Sequence, residues 1–137
     1  MRWLRIALYV WAAPATLLGM SLIPFAVLQG GSARIVDGVI EAHGGIITKF
    51  LRRGLPWVGP GSAMTLGHVV WGRDQHCLDT TRAHERVHVD QYERWGPLFI
   101  PLYLAASVLA QLRGKHPYLD NPFERAAFYV SDPDLMD

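Results

Sequence analysis

The stretch His84-Glu85-Arg86-Val87-His88 sets two imidazoles and a carboxylate within little more than one helical turn. On a helix, residues four apart lie one above the other, so His84 and His88 present their nitrogens to a single point. That spacing suits a tetrahedral zinc ion with two of its positions filled. Glu85 falls about a quarter turn away, within reach of a water that such a metal activates. The chemistry implied is hydrolysis, with Glu85 as general base. At about 100° per residue, Gln91 and Trp95 share the stripe of His84 and His88, whereas Glu93 points the opposite way. Glu93 is therefore a poor ligand, and Gln91 is an alternate.

A catalytic zinc normally takes three protein ligands, and the downstream candidates are His116, Asp120 and Glu124. Glu124 follows His88 by 36 residues, one turn into an expected helix that starts at Asn121-Pro122. A helix-borne glutamate can meet the first helix at the metal. Asn121-x-x-Glu124 also has the spacing of a capping box, in which the carboxylate would turn back to its own helix end. His116, in a loop before Pro117, is the other alternate. Cys77 reads as a small half-buried side chain, or as a ligand beside His76.

These residues need elements to hold them, and the pattern is α+β. Ala33 to Gly45 carries strand signals, with Asp37-Gly38 as a hairpin turn and Val39 to His43 as the better strand. Ile46 to Leu51 reads as one or two helical turns ending at Arg52-Arg53-Gly54, and Leu55 to Ser62 as loop. Ala63 to Trp71 alternates as a single strand, giving a small sheet of two to three strands. Its free edge could take up a peptide by strand addition. Asp79-Thr80-Thr81 offers oxygens to cap the helix carrying His84 and His88, and Gly96-Pro97 ends it. Asn121 to Val130 forms the last, short helix.

Composition limits the function classes. Half the residues are apolar, 18% are charged, and the formal net charge is +1 with no basic stripe, so nucleic acid is excluded as a partner. A single cysteine rules out an internal disulfide. Ile6 to Leu28 is uncharged over 23 positions, enough to span a hydrocarbon core of roughly 30 Å. Trp3, Tyr9 and Trp11 fit an aromatic belt at one end, and Pro14 and Pro24 can kink or split the helix. Ala13-Pro14-Ala15 is faintly like a signal-peptide cleavage site, but the apolar run continues well past it. The chain divides into an anchor over residues 1–30 and a small metal-binding domain over 31–137. Arg2 and Arg5, opposed only by Arg34, place the N-terminus inside and the domain on the external face. A second uncharged run, residues 95–112, is only 18 positions long and contains Gly96, Pro97 and Pro101.

With H-E-x-x-H on one helix and Glu124 on a later one, the chain resembles the gluzincin metallopeptidases. Residues 63–127, and in particular His84 to Phe99 and Asp120 to Glu124, are also similar to a group of small bacterial membrane proteins. The resemblance implies a zinc site of His84, His88 and Glu124 with Glu85 as general base, in the bacterial inner membrane and acting on peptides. Such peptidases add a Tyr or His to stabilise the oxyanion, for which His116, Tyr118 and Tyr92 are the candidates. The rival class is a non-catalytic accessory subunit of a larger membrane complex, its zinc structural and closed by a fourth protein ligand such as His116 or His76. Either way the ligand set makes a topological demand. If residues 95–112 crossed the bilayer, Glu124 would be stranded on the far side from His84 and His88, so this run must be re-entrant, interfacial or packed against the first.

Overall fold

The computed structural model describes residues 1–54 and 60–136. It begins with α1 (Arg2–Met20), which continues unbroken through Pro14, and α2 (Ile23–Leu28), which carries Pro24 in its first turn where no backbone N–H is missed. The chain breaks between them at Ser21 and Leu22. Strands β1 (Ser32–Val36) and β2 (Val39–His43) follow as a hairpin. Its turn, Asp37-Gly38, takes positive φ at both residues (50° and 77°), the handedness that matches the twist of the paired strands. Next comes α3 (Gly45–Arg53). Of the loop expected over Leu55 to Ser62, residues 55–59 lie outside the described residues.

The stretch expected to be one strand is two. β3 (Ala63–Leu66) and β4 (Val69–Gly72) pair antiparallel around a turn at Gly67-His68. Gly67 has φ +62°, and a Cβ there would meet Thr16 Oγ1 at 2.3 Å, so α1 presses directly on the turn. The two-residue reversal sets Leu66 and Val69 on one face, so the alternation slips by one residue there, a slip that the uniformly apolar run Val69-Val70-Trp71 conceals. The result is a mixed four-stranded sheet, β1-β2-β4-β3, rather than two to three strands, with β2 parallel to β4 and β3 on an edge.

Strand alternation sorts the sheet into two faces. Ala42, Leu66, Val69 and Trp71 turn to α1, α2 and α3, forming a core with Ala26, Ile47 and Leu51. Val39 and Val70 turn to α4 (Gln75–Trp95), where they meet Leu78 and Val89. The N-cap of α4 is Asp74, accepting from Cys77 N at 2.7 Å, and not the later Asp79-Thr80-Thr81. Asp79 instead accepts from Gln75 and Arg82 along the helix surface. At the other end Gly96, φ +54°, stops α4, and a Cβ there would strike the ring of Trp11. A short 3₁₀ turn over Gly96–Leu98 redirects the chain into α5 (Phe99–Leu112). That helix closes with a Schellman pattern, Lys115 N to Ala110 O and Gly114 N to Gln111 O, with Gly114 at φ +73°. Finally α6 (Pro122–Ser131) returns across α4.

Two helical stretches, Arg2–Leu28 and Gln75–Leu112, are long and apolar enough to cross a membrane by length and composition. The first is also part of the fold. Small residues Ala12, Ala15 and Gly19 bury one face of α1. Gly19 sits so close to the hairpin that a Cβ would lie 2.8 Å from that of Val69. Thr16 Oγ1 accepts from His68 N, and Trp71 Nε1 donates to the carbonyl of Gly19.

Glu41, fully buried on β2, locks α4 in register against the sheet. It accepts from Arg82 Nε and Nη2 and from Arg86 Nη2 at 2.8–2.9 Å. Burial pushes its carboxyl up, but the two guanidinium groups outweigh that and hold it below the usual range. Such a group contributes its stability above the unfolded pKa and loses it as pH falls through the lower folded one. Glu41→Gln should therefore cost about 3 kcal/mol at pH 7, read by urea unfolding. The gap to wild type should narrow as pH drops below about 4.5.

Candidate metal centre

His84, Glu85 and His88 all face inward from the middle of α4, at 7%, 6% and 5% exposure. One turn into α6, Glu124 is equally buried, and it does not turn back to form a capping box. Asn121 caps the helix alone, accepting from Phe123 N while its amide donates to Tyr103 O and Ser107 Oγ. That anchors the start of α6 to α5 and swings Glu124 onto α4. Its Oε2 lies 3.0 Å from His84 Nε2, and its Oε1 lies 2.9 Å from His88 Nε2 and 3.0 Å from the Tyr103 hydroxyl. One ligand atom from each of His84, His88 and Glu124 falls within 4.8 Å of the others, close enough to hold a metal ion.

The outer contacts orient both rings. His88 Nδ1 donates to Gln91 Oε1 at 2.8 Å, and Gln91 in turn donates to the carbonyl of Phe123. His84 Nδ1 meets Ser131 Oγ at 3.3 Å, whose own hydrogen goes to Ala127 O. These partners accept the Nδ1 proton of each ring and turn each Nε2 toward Glu124, so that Nε2 is the nitrogen a metal would take once its own proton is displaced. His88 Nε2 is the telling atom. It is buried, and although Glu124 Oε1 is near, their alignment makes no hydrogen bond. Two imidazole nitrogens and a carboxylate oxygen, with a buried, unpartnered ring nitrogen among them, fit a divalent cation.

Charge agrees with this. Burial alone would raise the Glu124 carboxyl, yet the His84 hydrogen bond and the close charges of His88 and His84 hold it at about 2. Burial opposes charge on His88, but Glu124, Glu85 and Gln91 raise it to about 9. Glu85, held at 2.6 Å by the Thr65 hydroxyl, is pushed up by burial, with His88, Thr65 and His84 opposing. Burial, then Glu124, pushes the Tyr103 and Tyr118 hydroxyls well above their usual range, so both stay protonated donors.

Of the alternates expected from sequence, Gln91 orients His88 from behind. His116 is exposed in its loop, where Nδ1 accepts from the backbone of Tyr118 and Leu119. Asp120 accepts from His116 N and faces Arg125. His76 is exposed, and Cys77 is half-buried beside its cap. Glu93 points away from the site, to His68 Nε2 at 2.8 Å and Arg5 at 3.3 Å. Of the oxyanion candidates, Tyr92 is committed to the carbonyl of Thr65 at 3.1 Å, while Tyr118 lines the site's cavity. Thr65, Tyr103 and Ser131 escaped the sequence reading. Tyr103 left one trace, as the lone tyrosine in the apolar run 95–112.

No family model, curated protein or solved structure matches this chain.

Because His88 is charged below about pH 9 when no metal is bound, a divalent cation would have to displace its proton. Titration calorimetry in two buffers of different ionisation heat should show close to one proton released at pH 7, with affinity rising toward pH 9 and levelling above it. Gln91→Ala, which removes the partner of His88 Nδ1, should weaken divalent-cation binding roughly 10–100-fold, and Glu124→Ala by more.

Proposed function

We propose that this chain is a membrane-anchored, zinc-dependent metallopeptidase-like hydrolase of gluzincin type. One observation carries the reading. His88, Glu124 and the would-be base Glu85 line a single cavity, and among the described residues no fourth ligand closes the group. A structural zinc, as in an accessory subunit, would require that fourth ligand. The residues once available for it, His116 and His76, are exposed and engaged elsewhere or apart.

Zinc is the ion best suited to two histidines and a carboxylate, and when bound it supplies carbonyl polarisation and a water that ionises near neutral pH. His84, His88 and Glu124 would hold it. Glu85 takes the proton from the attacking water and passes it to the departing nitrogen. Thr65 fixes the Glu85 carboxylate by its 2.6 Å hydrogen bond. Tyr103 and Tyr118, protonated hydroxyls on the cavity wall, are the donors placed to meet an oxyanion.

The membrane arrangement follows from lengths and faces. α1 turns Leu4, Ile6, Val10 and Leu17 outward, and α5 turns out Leu102, Val108, Leu109 and Leu112. At 1.5 Å per residue the 14 residues of α5 rise about 21 Å, short of a roughly 30 Å hydrocarbon core. α1 therefore anchors the chain and α5 dips into the same leaflet, which keeps Glu124 on the side of His84 and His88.

Glu85→Gln should retain zinc but lower amide hydrolysis by about 10²–10⁴-fold, whereas His84→Ala should lose the metal. Since burial raises Glu85 and the base must be ionised, wild-type kcat/KM should fall as pH drops through a value above that of an exposed glutamate. Undiminished turnover in the Gln variant, measured beside metal content, would remove Glu85 from the mechanism.

A further inference from the structure

The cavity that reaches the metal centre has a volume of about 570 Å³, within the range of small-molecule sites, and its wall is overwhelmingly apolar. Its wall includes Glu85, His88 and Glu124 at the metal centre, Met64 and Leu66 of β3, Leu104 on α5 and Leu18 on α1. Leu18 and Leu104 are themselves 54% and 38% exposed, so among the described residues the cavity reaches the surface at the two helices whose outer faces are apolar. A molecule entering there arrives from lipid, apolar end in the cavity, with its polar group at the metal.

We infer that the cavity binds the chain of a long-chain N-acyl amide, an amphiphile whose amide bond joins an aliphatic tail to a polar head; this rests on the hydrolase reading above. The rival occupant, an extended apolar peptide, fits less well. Peptide backbone brings an N–H and a C=O at every residue, and each must find a partner away from water. Among the described residues lining the cavity the strand edge is that of β3, four residues long, and the carbonyl of Thr65 at its middle is already taken by the Tyr92 hydroxyl. An acyl chain makes no such demand beyond its amide, which would sit among Glu85, Tyr103 and Tyr118. With a methylene displacing about as much volume as a water, roughly 30 Å³, the 570 Å³ accommodates about 19 such groups, the amide among them. In the reaction the amide C–N bond breaks and a C–O bond to the water oxygen forms. The proton carried by Glu85 goes to the nitrogen, giving a fatty carboxylate and an amine with no change of oxidation state.

The full chain in lipid nanodiscs, loaded with zinc, should be photolabelled with an N-dodecanoyl amide bearing a diazirine near the chain end, and the adducts mapped by mass spectrometry. Adducts are expected on cavity residues such as Met64, Leu66 and Leu104, displaced by unlabelled N-acyl amides roughly fourfold better per added methylene until the cavity is full. Met64→Trp and Leu104→Trp, each checked for retained zinc, should each lose that labelling. Adducts confined to the outer faces of α1 and α5, or cavity labelling by an apolar diazirine peptide but not by the acyl amide, would overturn the inference. Labelling of Glu85→Gln separates the two readings. Cavity adducts in that variant, with no amide hydrolysed by wild type, would retain the acyl site and discard the hydrolase. Cleavage of short polar peptides without cavity adducts would do the reverse.

Discussion

A buried carboxylate between two buried imidazoles is the interaction on which the rest of this structure depends. Glu124 has almost no contact with water, and a lone carboxylate there would carry a heavy desolvation cost. His84, His88 and Tyr103 offset it, each from a helix that must be fixed in place for the distance to hold. Much of the remaining hydrogen bonding serves that placement. Glu41 pins α4 to the sheet through Arg82 and Arg86, and Asn121 ties α6 to α5 through Tyr103 and Ser107. Glu41 and Asn121 thus belong to one device, which holds two imidazoles and a carboxylate at one point.

The sheet is too small to bury a core by itself. Four strands of four or five residues cover little area, and a chain of this length has little interior to spare. α1 makes up the difference. Its small residues let it approach the β3–β4 turn closely enough that its backbone and Thr16 take part in the hairpin's hydrogen bonding. At the other end, Trp11 covers Gly96, the residue that ends α4. An apolar helix at the start of the sequence is therefore a wall of the site's scaffold as well as a candidate anchor. A helix held so tightly by the domain also fixes how deep the domain sits, whatever surface it anchors to.

Local signals read well from the sequence because local physics decides them. Asp37-Gly38 announced its hairpin through the only residues at ease with positive φ, Gly96-Pro97 announced the end of α4, and Asn121-Pro122 the start of α6. H-E-x-x-H needs only the helical period to bring its groups together. What stayed hidden depended on distant contacts. Gly67 becomes a turn because Thr16, some fifty residues earlier, lies against it. The competition at Glu124 between capping box and cluster was open in sequence, since both call for a glutamate at the third position. It is decided by Tyr103 and the two histidines, none of them local. Asp74 took the cap from Asp79-Thr80-Thr81 because α4 gains a further turn over Leu78, which packs on Val39 and Val70. Thr65 could not be recognised as the partner of Glu85 while β3 and β4 were read as one strand.

The same apolar surroundings that make the site costly to build strengthen the electrostatics within it. Beside an apolar cavity, each charge is screened by little water, so attraction between Glu124 and the imidazoles is stronger than on a surface, and so is the field on anything bound there. Glu85 lies in that field with one hydroxyl for company. Burial raises its affinity for a proton, the property a general base needs to take one from water. A small soluble domain would struggle to exclude solvent from such a cavity with so few residues. An arrangement in which α1 and α5 face lipid would let the bilayer supply the missing wall.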